Sequence, residues 1–102
     1  MLNQIVLIGR LTADPILKKD ENGIAFCEGT LSIKRSFKNK EGKYESDIVK
    51  FKMLKELAQN FTQYAEKGTL VAIKGRIEPV KYHVDDKEVE TNLIIAEKVT
   101  YL

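Results

Sequence analysis

Residues 5 to 11 read Ile-Val-Leu-Ile-Gly-Arg-Leu. Successive side chains of an extended strand point to opposite faces. Ile5, Leu7 and Leu11 therefore share one face, and Val6 and Ile8 share the other. A strand with one solvated face alternates apolar with polar residues. This one is apolar on both, so its outer face is expected to be covered, most simply by a second copy of the chain. Asn3, Ile5, Val6 and Ile8 are the residues assigned to that contact. The strand is predicted over 3–11. Ala13-Asp14-Pro15 ends it, because proline lacks a ladder donor and restricts the residue before it.

After a turn at Asp20-Glu21-Asn22-Gly23, a second strand is predicted over 26–37. Cys27, Leu31 and Ile33 lie on one face of it, with Gly29 between them, and Glu28, Thr30, Ser32 and Lys34 on the other. That is the pattern of a half-buried strand, and Gly29 inside it marks the kind of bend a small barrel needs. Asn39 to Lys43 reads as a polar hairpin loop. The third strand, 44–54, turns Val49, Phe51 and Met53 one way and Ile48, Lys50, Lys52 and Leu54 the other. Leu57, Ala58, Phe61, Tyr64 and Ala65 then form one stripe at helical spacing, which predicts a helix over 55–66. Gly68 stands where a left-handed cap would follow it. In a fourth strand Val71, Ile73 and Ile77 alternate with Ala72, Lys74 and Arg76. Asp85-Asp86 makes a turn, and a last strand is predicted over 88–101.

Three strands, a helix and two strands give an all-β fold with one helix. A five-stranded barrel with its helix between strands three and four is the oligonucleotide/oligosaccharide-binding (OB) architecture. A split sheet-plus-helix fold is the alternative. Hydrophobic residues make up 43% and charged residues 31% of the 102 residues, an ordinary balance for one globular domain, so 1–102 is read as a single OB domain. No apolar run approaches the roughly 20 residues of a membrane helix, and no basic segment leads a long apolar stretch at the start. Cytoplasmic residence and no membrane partner are expected. The single Cys27 has no internal disulfide partner, which fits a reducing compartment, and its alternating neighbours make it a small buried residue.

Nothing in the chain points to catalysis. His83 is the only histidine. No Cys/His set has metal-ligand spacing, and neither a glycine-rich phosphate loop nor a serine elbow is present. No enzyme activity, metal or cofactor is expected.

Charge is more informative in its distribution than in its sum. The net charge is +2, yet residues 34–55 hold eight basic and three acidic residues, while 85–90 hold four acids and one lysine. Such asymmetry suggests a basic face. Single-stranded nucleic acid requires cations along the phosphate path and flat or apolar surfaces for unstacked bases. The third strand offers both, with Lys50 and Lys52 alternating with Ile48 and Leu54 on the face away from the core. Lys34, Arg35 and Lys38 flank Phe37 at the end of the second strand. Lys74 and Arg76 lie on the fourth, with Lys81 and Tyr82 near its end. The competing reading is that Ile48 and Leu54 pack under a loop and the lysines serve solubility. Pattern alone leaves both open.

The opening strand with Gly9-Arg10-Leu11 and then Asp14-Pro15, together with Gly23, Phe37, the Tyr64-to-Gly68 helix end and Lys74-Gly75-Arg76, strongly resembles the bacterial single-stranded DNA-binding protein family. The resemblance covers essentially the whole chain. It implies OB domains, usually tetrameric, that bind single-stranded DNA without sequence preference. Their setting is replication, recombination and repair in a bacterial cytosol or nucleoid, with a phage or plasmid as a further possible source. It also implies stacking roles for Phe37 and Tyr82 and backbone contacts for Lys50 and Lys81. Ile48 and Leu54 fall where many members carry aromatics.

Three departures stand out. Two stacking positions are aliphatic and tryptophan is absent, which weakens binding if cations do not compensate, since a base–aromatic stack is worth roughly 1–3 kcal/mol. The sequence ends at Leu102, before the family's Gly/Pro/Gln-rich linker and acidic tip, either because it is truncated or because the protein lacks that tail, so partners recruited through a tail are left in doubt. Phe37 shares parity with Leu31 and Ile33, so a stacking role requires a bulge or a hairpin that outruns the core. Two further readings stay open. One is a tail-less OB module for docking in a primosome-like assembly; the other is RNA as the ligand.

Overall fold

A computed structural model describes residues 1–102. The elements in order are β1 (Ile5–Leu11), β2 (Lys18–Lys19), β3 (Ala25–Lys38), β4 (Tyr44–Leu54), α1 (Lys55–Tyr64), β5 (Leu70–Val84) and β6 (Lys87–Tyr101). The sheet order is β1-β5-β6-β4-β3-β2, and a further β1–β3 pairing at Arg10↔Ser32 and Leu11↔Leu31 closes it. All pairings are antiparallel except β4–β6, which meet in parallel at Lys52↔Ile95. The result is the expected five-stranded OB barrel with its helix between the third and fourth barrel strands. The two-residue β2 is an addition at the edge of β3. No helix is long and apolar enough to cross a membrane.

The predicted alternation places the core. Cys27 and Leu31 of β3, Phe51 and Met53 of β4, and Val71 and Ile73 of β5 are buried. The helix caps this core with Ala58 and Phe61, whose ring meets Phe51 edge-on at 5.9 Å. Gly29 serves the packing of this core. A Cβ there would lie 2.5 Å from the Phe51 ring, so the missing side chain is the space the ring occupies.

Element ends depart from the sequence pattern where long-range bonds take over. β1 begins at Ile5 rather than at 3. Asn3 instead clasps Ile77, donating from Nδ2 to its carbonyl (2.7 Å) and accepting its N–H on Oδ1 (2.9 Å). The helix stops at Tyr64, two residues early, with Ala65 already extended. The next residues bond elsewhere: Lys67 N–H donates to Asp14 Oδ1, Gly68 N–H to the Leu11 carbonyl, and Glu66 N–H to Thr69 Oγ1. Gly68 does take a left-handed φ of +90°, but in this turn and not as the helix cap. Tyr64 correspondingly faces solvent instead of joining the apolar stripe.

Two ribbons outrun the barrel. The β3–β4 arm ends in the 39–43 loop, where Asn39 Oδ1 accepts the N–H groups of Glu41 and Lys43. The β5–β6 arm ends at Asp85-Asp86, both with positive φ, the backbone a tight two-residue hairpin turn needs. Ile77, which follows the core parity of Val71 and Ile73, is exposed because β5 has by then left the barrel.

Candidate nucleic-acid interface

The outer face of β3 and β4 is a ladder of cross-strand pairs: Phe26↔Leu54, Glu28↔Lys52, Thr30↔Lys50, Ser32↔Ile48 and Lys34↔Ser46. Ile48 and Leu54 are exposed here, not roofed by a loop; Ile48 retains 62% of its surface. Lys50 faces the same side. With Asp14, Pro15, Lys18, Glu28 and Thr30 it lines a groove of about 290 Å³ between the 13–18 loop and the sheet.

Phe26 was not among the sequence-predicted site residues. It has the outward parity of Glu28 and Thr30, pairs with Lys18 of β2 on its other side, and has Lys52 Nζ 4.7 Å above its ring. Its parity was the available signal.

The ladder continues past β4. Lys52 partners Ile95 of β6, and Ile95 partners Arg76 of β5. Register partners share a face, so Glu28, Lys52, Ile95 and Arg76 form one row across four strands. Ile95 sits in this row because of a register shift at Lys74/Gly75, where β6 carries one residue more than β5. The shift keeps Ala96 in the core and turns Ile95 outward, buried at 5% exposure but outside the core cluster.

Beyond the row, the β5–β6 arm divides the predicted pair. Tyr82 partners Val89 on the face that carries Arg76. Lys81 lies on the reverse face, with Nζ 3.4 Å from Glu90 and 3.5 Å from Glu88.

On the other arm, the pairing jumps from Lys34↔Ser46 to Lys38↔Tyr44, so β3 advances four residues against two on β4. Both advances are even, so Phe37 keeps the parity of Ile33 and lies with Arg35 on the reverse of the arm, 63% exposed because the arm outruns the core. The outward aromatic of this arm is Tyr44, also unforeseen, with Lys34 Nζ 4.6 Å and Lys38 Nζ 5.7 Å from its ring centre.

The basic residues are not equivalent. Arg35 is held by Asp47 (2.8 Å) and Glu45 (2.9 Å), and Arg76 reaches Glu78 at 3.4 Å. Lys34, Lys38, Lys50, Lys52 and Lys74 have no carboxylate within 4.0 Å. Lys74 stands apart from the β3–β4 ladder, between Val6 of β1 and Lys98 of β6. Of the four residues assigned to self-association, Val6 and Ile8 present 61% and 54% of their surface outward. Ile5 turns to the inner side, and Asn3 is occupied with Ile77.

Known proteins are similar to this chain in sequence and in geometry. Residues 2–102 match the family described as "Single-strand binding protein family". The single-stranded DNA-binding protein of Bacillus cereus is 36% identical over 103 residues, covering 100% of this chain and 61% of that protein. Single-stranded DNA-binding protein B of Bacillus subtilis is 37% identical over 103 residues and is covered to 91% of its length. The structure is similar to a crystal structure of a deletion mutant of the single-stranded DNA binding protein from Thermus aquaticus. The TM-score is 0.81 and the identity 27%, covering 99% of this chain and 50% of that one. The chain thus spans 61% of the first such relative it matches.

Proposed function

The chain belongs to the single-strand binding protein family, and from that premise we propose that it binds single-stranded DNA without sequence preference and shields unwound strands during replication, recombination and repair. The observation that carries this reading is the outer face of β3–β4 running through Ile95 into β5. Unpaired lysines (Lys34, Lys38, Lys50, Lys52) alternate along it with the exposed Ile48, Leu54 and Tyr44 and the half-buried Phe26.

Phosphates follow the lysines and release their counterions. Bases, which offer an apolar face irrespective of sequence, lie on the rings and aliphatic side chains between. Tyr82 extends this track along the β5–β6 arm. None of these contacts reads base edges, so the preference is for unpaired strands and not for a sequence.

The outward pair Val6 and Ile8 supports self-association through β1. Two copies related by a twofold axis would cover the same patch on each other, and a tetramer would need a second contact. The setting is the bacterial cytosol or nucleoid.

The test is a polarisation titration with labelled oligo-dT at two salt concentrations, with duplex of equal length as the competitor. Affinity well above that for duplex, falling steeply with salt, is expected. Affinity no tighter than for duplex would overturn the reading and leave a docking role in a larger assembly.

A further inference from the structure

Arg35 is the most heavily engaged cation of the β3–β4 arm; it lies on the reverse of the Lys34–Tyr44 face, and its engagement is internal. Nε donates to both carboxylate oxygens of Asp47 at 3.1 Å, Nη2 donates to Asp47 Oδ1 at 2.8 Å, and Nη1 to Glu45 Oε2 at 2.9 Å. Glu45 in turn accepts from Asn39 Nδ2 at 3.2 Å, tying the group to the arm's loop. The anchored guanidinium lies 5.9 Å from the centre of the Phe37 ring, within the range of cation–π attraction. The ring itself sits in the stretch where β3 and β4 lose register, with no ladder of its own to hold it.

We propose that Arg35 is a positioning residue and not a phosphate contact: fixed to β4 through Asp47 and Glu45, its planar guanidinium holds the exposed Phe37 ring, on the same side of the arm, in the orientation an unstacked base meets. The inference rests on the single-stranded DNA reading above.

Two consequences follow from the chemistry. A guanidinium whose fork is filled by carboxylates offers few donors to a phosphate. Lysine would not replace it, because a point charge has neither the fork nor the flat face. The pair also holds its charge: the hydrogen bonds to Arg35 lower the Asp47 carboxyl below its ordinary value, and those to Asp47 raise the Arg35 guanidinium.

The chain has no tryptophan, so Phe37→Trp supplies a single fluorescent reporter at the ring in question. Arg35→Gln, Arg35→Lys and Asp47→Ala are made in that background and titrated with oligo-dT across a salt series, with thermal melting as the control for folding. All three are expected to weaken binding about fivefold, the low end of one lost base stack. They should also diminish the quenching of the introduced indole at saturation and leave the salt slope unchanged. Asp47→Ala is the decisive variant, because it removes a negative charge and frees Arg35. If Arg35 contacted phosphate, Asp47→Ala would tighten binding and steepen the salt slope, and Arg35→Gln would flatten the slope while Arg35→Lys kept the wild-type affinity. Either result, with quenching intact, overturns the proposal. A parent Phe37→Trp protein that binds oligo-dT while Asp47→Ala binds tighter overturns this inference alone. Wild-type protein that binds no oligo-dT overturns the single-stranded DNA reading and this inference with it.

Discussion

Lys52 of β4 and Ile95 of β6 are partners in the one parallel pairing of the barrel, and that single contact joins the outer faces of its two long ribbons. With it, an unpaired lysine, a sealed apolar residue and Arg76 lie in one register row. On the proposed reading, a strand bound along β4 would pass to β5 over this row.

Lys52→Gln should flatten the dependence of log affinity on log salt by about 0.7, the contribution of one phosphate on a single strand. Lys81→Gln should leave it unchanged, because Lys81 lies on the reverse of its arm and faces Glu88 and Glu90. Oligo-dT titrations at four salt concentrations check both. Equal effects from the two lysines would place the strand on the wrong side of β5.

Phe26 lies on the same face as Leu54 and beneath the Lys52 ammonium. Phe26→Ala is expected to cost about 1–3 kcal/mol of binding, the range for one base resting on a ring. Because the ring points away from the core cluster, melting should change less than binding. Affinity at the wild-type level would remove Phe26 from the track.

The sequence pattern displayed the barrel but only part of the face. Alternation in β3 and β4 was strong enough to separate Cys27, Leu31, Phe51 and Met53 from Lys50, Lys52, Ile48 and Leu54, since a period of two needs no tertiary knowledge. Phe26 was equally readable by parity. Ile95 was not, because its outward turn depends on the one-residue excess of β6 beside Lys74/Gly75. The fates of Arg35 and Lys81 depend on which carboxylate stands across the ribbon, a matter of register. The early helix end at Tyr64 was hidden for a similar reason: Asp14, which takes the Lys67 N–H, lies 53 residues away in the chain.

Cys27 lies in the core at 0% exposure, and burial pushes its thiol up to about 11. The neutral thiol is the form that folding favours. Stability from this group is therefore complete below the unfolded thiol's ordinary value near 9.0 and is lost as pH rises toward about 11. Urea melts between those values should show a decline that Cys27→Ala lacks. In the same protein at neutral pH, a thiol reagent should react only after denaturant is added.

Val6 and Ile8 stand outward on β1 beside Lys74 and Ala72 of β5, with neither covered by its own chain. Exposed apolar area on a strand centre is a surface that association removes from water, at roughly 25 cal/mol per Å². Placing a carboxylate there would leave a charge facing its own copy across a twofold contact, which costs more than the lost burial alone. Val6→Glu combined with Ile8→Glu should therefore shift the sedimentation coefficient to that of an 11.6 kDa monomer. Each chain should keep its strand-rich circular dichroism, because both side chains point away from the core. Ile5→Glu offers the contrast. Ile5 faces inward, so that variant should lose folding before it loses association. A doubly substituted chain that still sediments as an oligomer would move the contact away from β1.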